Sequence, residues 1–383
     1  MTELTFSFWF HFFLLSISFF YASLILWFFV AFKTKKHAKN TSFQPEISLI
    51  VAFRNEEKNL NALLQSVQNQ NYPLAKIELI LVNDSSTDQS TEIIKLFQKN
   101  KPYLRIQLLH LNTEKPGVYG KKEALILAYS RAKAPYVLQT DADCFFEPDN
   151  IQTRVEGFLN PDIKMVLAPV LIKSEKNLFF QAQALENISL MASTAASVKA
   201  GIPLMSNGAN LAFKRSVLEE ISENALYTKE RSGDDLFLMQ QIKARFGNSS
   251  IAFAFSPKAA VYTPAQKDLK SFFYQRIRWV SKSKSYTDTW LIIVSVLVLL
   301  VNLLITGTAF SLFFTQKMLF VFVFSLSLKT IVDFLFLLKA SLWYRQTGVL
   351  KVYPVLLLFY PVFIVFSALL GNFLPYTWKG RSN

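Results

Sequence analysis

Tyr136–Glu147 reads YVLQTDADCFFE. Tyr136 to Thr140 suit a buried strand, because aromatic and β-branched side chains fill a pleated surface. Asp141-Ala142-Asp143 then stops it, since Asp is depleted from strands and favours turns. Carboxylates two apart at the carboxyl end of a parallel strand stand where open α/β sheets place their ligands, and such a pair can share a divalent cation. An acidic strand end entering a turn has the same residues and no chemistry. The flanking sequence separates the two readings.

Upstream, Ile47–Phe53 (ISLIVAF) is a continuous apolar run, as expected of a strand covered on both faces. Leu60, Leu63, Leu64 and Val67 follow at helical spacing and predict an amphipathic helix over Glu56–Gln68. Between strand and helix stands Arg54-Asn55-Glu56-Glu57, and Tyr72-Pro73 closes the unit. A second strand, Ile77–Asn83, leads into Asp84-Ser85-Ser86-Thr87-Asp88 and a helix carrying Ile93, Ile94 and Phe97. A third, Arg105–Leu109, is followed by Gly120-Lys121-Lys122 and a helix through Ala132. The strand ending at Asp141 is the fourth. This alternation predicts an α/β domain with a mostly parallel, Rossmann-like sheet. Each polar cluster falls at the carboxyl end of a strand, hence on one edge. No G-x-G-x-x-G follows the first strand and no G-x-x-x-x-G-K-[ST] occurs, which argues against a dinucleotide fold or a P-loop NTPase. The edge offers carboxylates instead, which suit the hydroxyl and N–H groups of a ribose and base, and an acidic pair for a metal on a diphosphate.

Downstream, Ile163–Ile172 reads as a strand and Leu178–Val198 as a long, weakly polar helix. Met205–Lys214 (MSNGANLAFK) reads as another strand, with Gly208 permitting close backbone approach to a ligand. Arg231–Leu238 (RSGDDLFL) puts Asp234 and Asp235 at a helix start, where helix capping alone also accounts for an Asp. Ala265–Lys284 sets Leu269, Phe272, Phe273, Ile277 and Val280 on one helical face, with Lys267, Lys270, Arg276, Arg278, Lys282 and Lys284 around the rest. That profile predicts a helix lying in the membrane interface, its apolar face against the bilayer.

The composition asks for a membrane. The chain has 383 residues, is 51% hydrophobic and contains 37 Phe. Phe6–Phe32, Trp290–Phe314 and Val352–Trp378 carry no Asp, Glu, Lys or Arg, and each exceeds the roughly 20 apolar residues that cross a bilayer core. Met318–Leu338 is a fourth candidate, interrupted by Lys329 and Asp333, four apart and therefore on one helical face. Phe6–Phe32 is too long for the apolar region of a signal peptide and lacks a small-residue cleavage site, so it reads as a retained anchor. Pro354, Pro361 and Gly371 leave a re-entrant path open for the last segment. Lys33, Lys35, Lys36 and Lys39 follow the first span, and Lys282 and Lys284 precede the second, so the positive-inside rule puts the intervening domain in the cytoplasm. Lys379 and Arg381 at the far end run against that bias if all four segments cross. Much of the +14 net charge lies beside the spans, which favours anionic headgroups over nucleic acid as its partner. The one cysteine, Cys144, excludes an internal disulfide and fits a reducing compartment.

Five clusters in fixed order carry a resemblance: Arg54-Asn55-Glu56, Asn83-Asp84-x-Ser86-Thr87-Asp88, Asp141-x-Asp143, Gly233-Asp234-Asp235 and Gln275-x-x-Arg278-Trp279. Together they resemble the membrane-embedded family 2 glycosyltransferases, the branch with polysaccharide synthases and ceramide glucosyltransferases. Gly120-Lys121 and Gly208-Ala209-Asn210 look like further signals, and the similarity spans about Ile47 to Trp279. Asn83 stands where an Asp is common, and Asp234 replaces the more usual Glu. The resemblance implies a GT-A domain flanked by transmembrane helices. It also implies that Glu56 and Asp84 contact uridine, that Asp141 meets the ribose or metal, and that Asp143 holds Mg²⁺ or Mn²⁺ against the diphosphate. By the same similarity Asp235 is the general base, Arg278 faces the leaving diphosphate, Gln275 belongs to the catalytic group, and Trp279 stacks on the acceptor. Gly208 and Asn210 lie on the acceptor side by that likeness, and Lys121 or Lys122 adds a diphosphate contact, though lysines at a helix start are ordinarily just solvated.

The expected organisation is an anchor and basic flank over 1–44, a cytoplasmic catalytic domain over 45–264, an interfacial helix over 265–288 and a membrane region over 289–383. The expected function is inverting transfer from a UDP-sugar donor to a lipid or lipid-linked acceptor, at the cytoplasmic face of a bacterial inner membrane. A processive polysaccharide synthase is the alternative acceptor reading. A non-enzymatic nucleotide-sugar-binding subunit of a synthase complex is the rival of another class, and such a subunit would be expected to lose the base or Q-x-x-R-W, both retained here. A synthase partner subunit is compatible with either enzyme reading.

Overall fold

The computed structural model describes residues 3–33, 42–111, 120–173, 176–221, 233–371, 377–378 and 381–382. Lys35, Lys36, Lys39, Arg231, Ser232 and Lys379 lie outside the described residues. In chain order, helix α1 (Glu3–Ala31) precedes β1 (Ile47–Phe53), α2 (Leu60–Gln68), β2 (Ile77–Asn83), α3 (Ser90–Asn100) and β3 (Arg105–His110). Then come α4 (Lys121–Arg131), β4 (Tyr136–Thr140), β5 (Phe145–Phe146), α5 (Asn150–Val155), β6 (Met165–Leu167) and β7 (Val170–Ile172). The long α6 (Leu178–Lys199) leads to β8 (Asn210–Lys214), α7 (Val217–Glu220), α8 (Asp234–Phe246), β9 (Ile251–Phe253) and β10 (Val261–Thr263). Helices α9 (Leu269–Val280), α10 (Thr289–Ser311), α11 (Leu319–Trp343) and α12 (Tyr353–Leu370) follow.

The chain forms two compact units, one of Thr34–Lys173 and Gly201–Pro264, the other of Met1–Lys33, Ser174–Ala200 and Ala265–Asn383. Helix α6 therefore joins the unit that holds the apolar helices, whereas the sequence places it inside the 45–264 domain. It packs against α1, α11 and α12.

The sheet unit has strand order β3-β2-β1-β4-β8-β6-β9. Strands β1 to β4 run parallel, β8 lies antiparallel to both β4 and β6, and β9 is parallel to β6. This is the mostly parallel sheet of a GT-A domain. The continuous apolar runs are explained by burial on both faces: Ile47, Leu49, Ile50 and Val51 are fully buried. Phe53 pairs with Asn83 and Asn83 with His110, so the carboxyl ends of β1, β2 and β3 finish level. Glu78 stitches the three strands, accepting from Ser48 Oγ and Gln107 Nε2, both at 2.7 Å. Arg154 of α5, fully buried, donates through Nη2 to the carbonyls of Gln139 (2.9 Å) and Leu211 (2.5 Å), joining β4 to β8.

Three expected boundaries move, each for a local reason. Ile163–Ile172 is not one strand, because Pro169 offers no N–H to a ladder. The run divides into β6 in the large sheet and β7 in a second sheet ordered β5-β10-β7. Helix α2 starts at Leu60 rather than Glu56, since the carbonyl of Glu56 takes the N–H groups of Asn59 (2.9 Å) and Leu60 (3.0 Å) in a preceding turn. Strand β8 starts at Asn210 rather than Met205, because the Asn207 side chain accepts from Ala209 N–H at 3.0 Å and forms a turn.

In the other unit, Phe8–Ala31, Thr289–Ser311, Gln316–Trp343 and Thr347–Leu370 are long and apolar enough to cross a membrane. Phe19, Phe20, Phe310 and Leu358 remain exposed on their outer faces, as lipid-facing residues do. Lys329 turns inward with its side chain 8% exposed and pairs with Asp333, which also accepts from Tyr21 Oη of α1 at 2.8 Å. Ser18 and Ser325 bond across the same α1–α11 contact at 2.8 Å.

Helix α9 differs most from its reading. Phe272 stacks on Phe363 of α12 with ring centroids 5.4 Å apart, Phe273 meets the same ring, and Ile277 is fully buried. A Cβ at Gly371 would stand 2.7 Å from Val280 Cγ1, so α12 ends tight against α9. Of the expected bilayer-facing residues, Leu269 stays exposed, and the others pack within the unit. Arg276, counted among the basic residues around the rest of the helix, is buried.

Candidate active site

The first group of candidate residues is built where β1 and β2 stop. Asn55 (φ 53°) and Ser85 (φ 57°) both adopt the left-handed region, which side chains other than Gly seldom occupy and which clusters at ligand-binding turns. The two turns hold each other. Asn55 N–H donates to Ser86 Oγ (3.0 Å), Thr87 N–H to Asn55 Oδ1 (2.8 Å), Glu57 N–H to Asp88 Oδ2 (3.0 Å) and Gln89 N–H to Glu57 Oε2 (3.1 Å). Asn83 accepts from Ser86 N–H at 2.8 Å and donates to Thr91 Oγ1 at 3.2 Å, a donor role that a carboxylate at this position would lack. Glu56 and Asp84 are buried between these turns at the carboxyl edge. Burial tends to raise the Asp88 carboxyl, but its bonds with Ser90 and the N–H of Glu57 outweigh that and hold it below the usual range.

The second group gathers around Asp141. Lys121, the first residue of α4, forms an ion pair with Asp141. Burial would lower the Lys121 ammonium, yet Asp141, and then Asp235 and Asp234, raise it above its ordinary value. The D-A-D and G-D-D motifs, remote in sequence, thus act on one lysine. Tyr129 feels both carboxylates of the G-D-D motif too: burial first, then Asp234 and Asp235, pushes its phenol up.

Asp235 sits in the first turn of α8 behind Gly233, whose φ of 100° only glycine adopts without strain. Its Oδ2 accepts from Gly208 N–H at 2.7 Å and its Oδ1 from Leu236 N–H at 2.9 Å. A Cβ at Gly208 would stand 2.9 Å from Gln139 Nε2, so a side chain there would displace that amide. Gln139 is itself fixed by Tyr129 Oη at 2.6 Å. Asn210 is buried, and its amide donates to the carbonyls of Pro169 (2.6 Å) and Ala259 (2.8 Å), which makes it a brace between the two sheets. Gln139, Tyr129 and Arg154 were not legible as site residues, being ordinary strand and helix positions in sequence.

Asp143 follows on the turn after β4, partly exposed, with Cys144 Sγ 3.5 Å from its Oδ1. Burial, then Asp143 and Asp141, pushes the Cys144 thiol well up, so it remains a neutral donor. Among the described residues no group of three or more His, Cys, Asp or Glu side chains makes a protein-only cage. The Asp141 and Asp143 carboxylates instead fit the way Mg²⁺ or Mn²⁺ binds through one or two carboxylates while substrate phosphates and water complete its shell.

Gln275, Arg278 and Trp279 lie on α9, in the other compact unit. Gln275 Oε1 accepts from Arg276 Nη1 at 2.5 Å, and the Trp279 ring lies 4.2 Å from the Arg276 guanidinium carbon. Arg278 and Trp279 are each partly exposed.

Known proteins share this fold. A mannosyltransferase from Pyrobaculum calidifontis, solved with GDP-Man and Mn²⁺, superposes with a TM-score of 0.58 at 17% identity, covering 94% of this chain and 97% of that one. A poly-beta-1,6-N-acetyl-D-glucosamine synthase of Staphylococcus epidermidis is 25% identical over 235 residues, 61% of this chain and 53% of its own. A probable glycosyltransferase, YdaM, of Bacillus subtilis (strain 168) is 24% identical over 254 residues, 64% of this chain and 56% of its own. The chain therefore spans little more than half the length of these curated relatives. The family model of glycosyl transferase family 21 matches residues 10–381, nearly the whole chain, and this protein belongs to that family.

Proposed function

We propose that the protein is a metal-dependent, inverting glycosyltransferase that moves a sugar from a UDP-sugar to a lipid or lipid-linked acceptor at the cytoplasmic face of a bacterial inner membrane. One observation carries the reading: Lys121 is paired with Asp141 while Asp235 and Asp234 act on the same ammonium. A cation, a metal-type carboxylate and a candidate base thus meet at the carboxyl edge of the sheet, where open α/β folds bind ligands.

Glu56 and Asp84 would accept from the donor's base and ribose. A divalent cation on Asp143 and Asp141, when bound, would neutralise charge growing on the diphosphate. Lys121 would then turn from Asp141 toward a phosphate oxygen. Asp235 takes the proton of the acceptor hydroxyl as that oxygen bonds to the anomeric carbon, and the electron pair of the breaking sugar–phosphate bond leaves with UDP. A placed base of this kind contributes about 10²–10⁴-fold. One displacement without a protein nucleophile inverts the anomeric centre. Arg278 would face the leaving diphosphate and Trp279 the acceptor. The mannosyltransferase of the same fold, solved with a nucleotide sugar and Mn²⁺, accords with the donor and metal classes.

Four membrane-type helices suit an acceptor presented at headgroup depth. A second reading, a polysaccharide synthase, is favoured by the name of the staphylococcal relative. Membranes containing the protein, incubated with labelled UDP-glucose, UDP-N-acetylglucosamine or GDP-mannose and then extracted, decide between them. The expected result is label from a UDP-sugar in the organic phase, lost with EDTA and in Asp143→Ala. A long aqueous ladder cut by a polysaccharide hydrolase would establish the synthase instead. Transfer from none of the donors would overturn both.

A further inference from the structure

We infer that Arg276, clamped by Glu186 of α6, is a positioning residue that sets Gln275 and Trp279 for the acceptor. The inference rests on the reading above that these two residues serve the acceptor side.

Arg276 is 6% exposed, although its neighbours Lys270 and Lys284 reach solvent. Its guanidinium meets the Glu186 carboxylate as a fork, Nε to Oε1 at 2.9 Å and Nη2 to Oε2 at 2.5 Å. Paired N–H···O bonds of this kind fix orientation as well as distance. The remaining arm, Nη1, donates to Gln275 Oε1 at 2.5 Å. The guanidinium carbon lies over two rings, 4.3 Å from the Phe272 centroid and 4.2 Å from that of Trp279. Phe272, Arg276 and Trp279 are spaced i, i+4 and i+7, so one helical face presents all three. Tyr360 Oη of α12 lies 3.5 Å from the same Glu186 oxygen. One guanidinium therefore touches both the first and the last residue of Q-x-x-R-W, and its plane is set from another helix.

A plain structural ion pair is the competing account, in which Glu186 and Arg276 only fasten α9 to α6. Replacing a buried pair by apolar side chains of similar volume often leaves stability unchanged or improved. The pair of changes Glu186→Leu and Arg276→Met is therefore a variant expected to fold. Lysine supplies charge without a fork or a plane, so Arg276→Lys separates charge from geometry.

The test uses the full chain in nanodiscs, with two readouts. The first is the ¹⁹F spectrum of protein labelled with 5-fluorotryptophan, the Trp279 line being assigned by its loss in Trp279→Phe. The second is kcat and KM for acceptor and donor separately. In both Arg276→Lys and the double variant, the Trp279 line should move and broaden. Acceptor kcat/KM should fall by about 10²-fold, as small misplacements at a reacting centre do, while donor KM holds. An unmoved Trp279 line in the folded double variant overturns the inference whatever the kinetics. So does an acceptor kcat/KM within about twofold of wild type. A wild type without transferase activity would defeat the functional reading alone, and the Trp279 line would still decide whether Arg276 positions that ring.

Discussion

Asp235 accepts from two backbone N–H groups, those of Gly208 and Leu236, and in sequence it is as compatible with a helix cap as its neighbour Asp234. The tie to Gly208 fixes Asp235 relative to the strand that starts two residues later. Asp235→Asn keeps the size of the side chain but cannot take a proton. Turnover should fall by at least about 10²-fold with donor binding nearly unchanged, while Asp234→Asn is mild. The opposite ranking in steady-state assays would move the base to Asp234. A second prediction concerns Asp88, whose bonds with Ser90 and Glu57 depress its pKa against the opposing effect of burial. A carboxyl with a folded pKa below its unfolded value stabilises above that unfolded value, and loses the contribution as pH falls through the folded one. The apparent Tm gap between wild type and Asp88→Asn should therefore be constant above about pH 5 and close below about pH 3. A gap independent of pH would mean that the interlock of the two turns owes nothing to ionised Asp88.

At the level of elements, α11 carries the case in which spacing alone foresaw a contact. Lys329 and Asp333 lie four apart on one face, and the ion pair is present, reinforced from α1 by Tyr21. Either charge alone at a helix centre costs roughly 2.5–3.5 kcal/mol on insertion scales. Lys329→Leu leaves Asp333 in the bundle without its cation and should lower the amount of inserted protein more than Lys329→Leu with Asp333→Leu. Equal yields on quantitative blots would mean that both groups reach water. Helix α6 is the contrasting case. Its sequence is weakly polar all along, with Gln181, Gln183, Glu186 and Asn187 in one stretch, and it falls within the expected 45–264 catalytic domain. Those four residues are buried, because α6 packs among the apolar helices of the other unit. Amphipathic periodicity has no way to report a helix covered on several sides.

For the whole molecule, the clusters Lys33 to Lys39 and Lys282 to Lys284 make orientation testable, since basic flanks stay cytoplasmic. Cys144 is buried with its thiol held up, so a maleimide introduced into the native protein should not find it. Tyr103, 54% exposed in the sheet unit, is a suitable reporter once changed by Tyr103→Cys. A membrane-impermeant maleimide should label that variant in inside-out vesicles and not in intact cells. Labelling of intact cells would reverse the topology.

The first four strands with their helices, the carboxyl-edge clusters and the four apolar spans were legible because each depends on local periodicity or on residues adjacent in sequence. Leu60, Leu63, Leu64 and Val67 declare a helix wherever they occur, and Asp141-Ala142-Asp143 ends a strand without help from elsewhere. Three things needed the tertiary structure. The antiparallel insertion of β8 between β4 and β6 joins segments far apart in sequence, and the apolar run around Pro169 is divided between two sheets. The backbone tie on Asp235 comes from the Gly208 N–H, on a distant loop. Arg276 read as one more basic residue of an interfacial helix, because its partner Glu186 stands ninety positions earlier on a helix with no periodic signal. Local pattern carries information over one or two turns of chain. Pairing of a buried charge is decided by whichever element the packing of the rest brings against it.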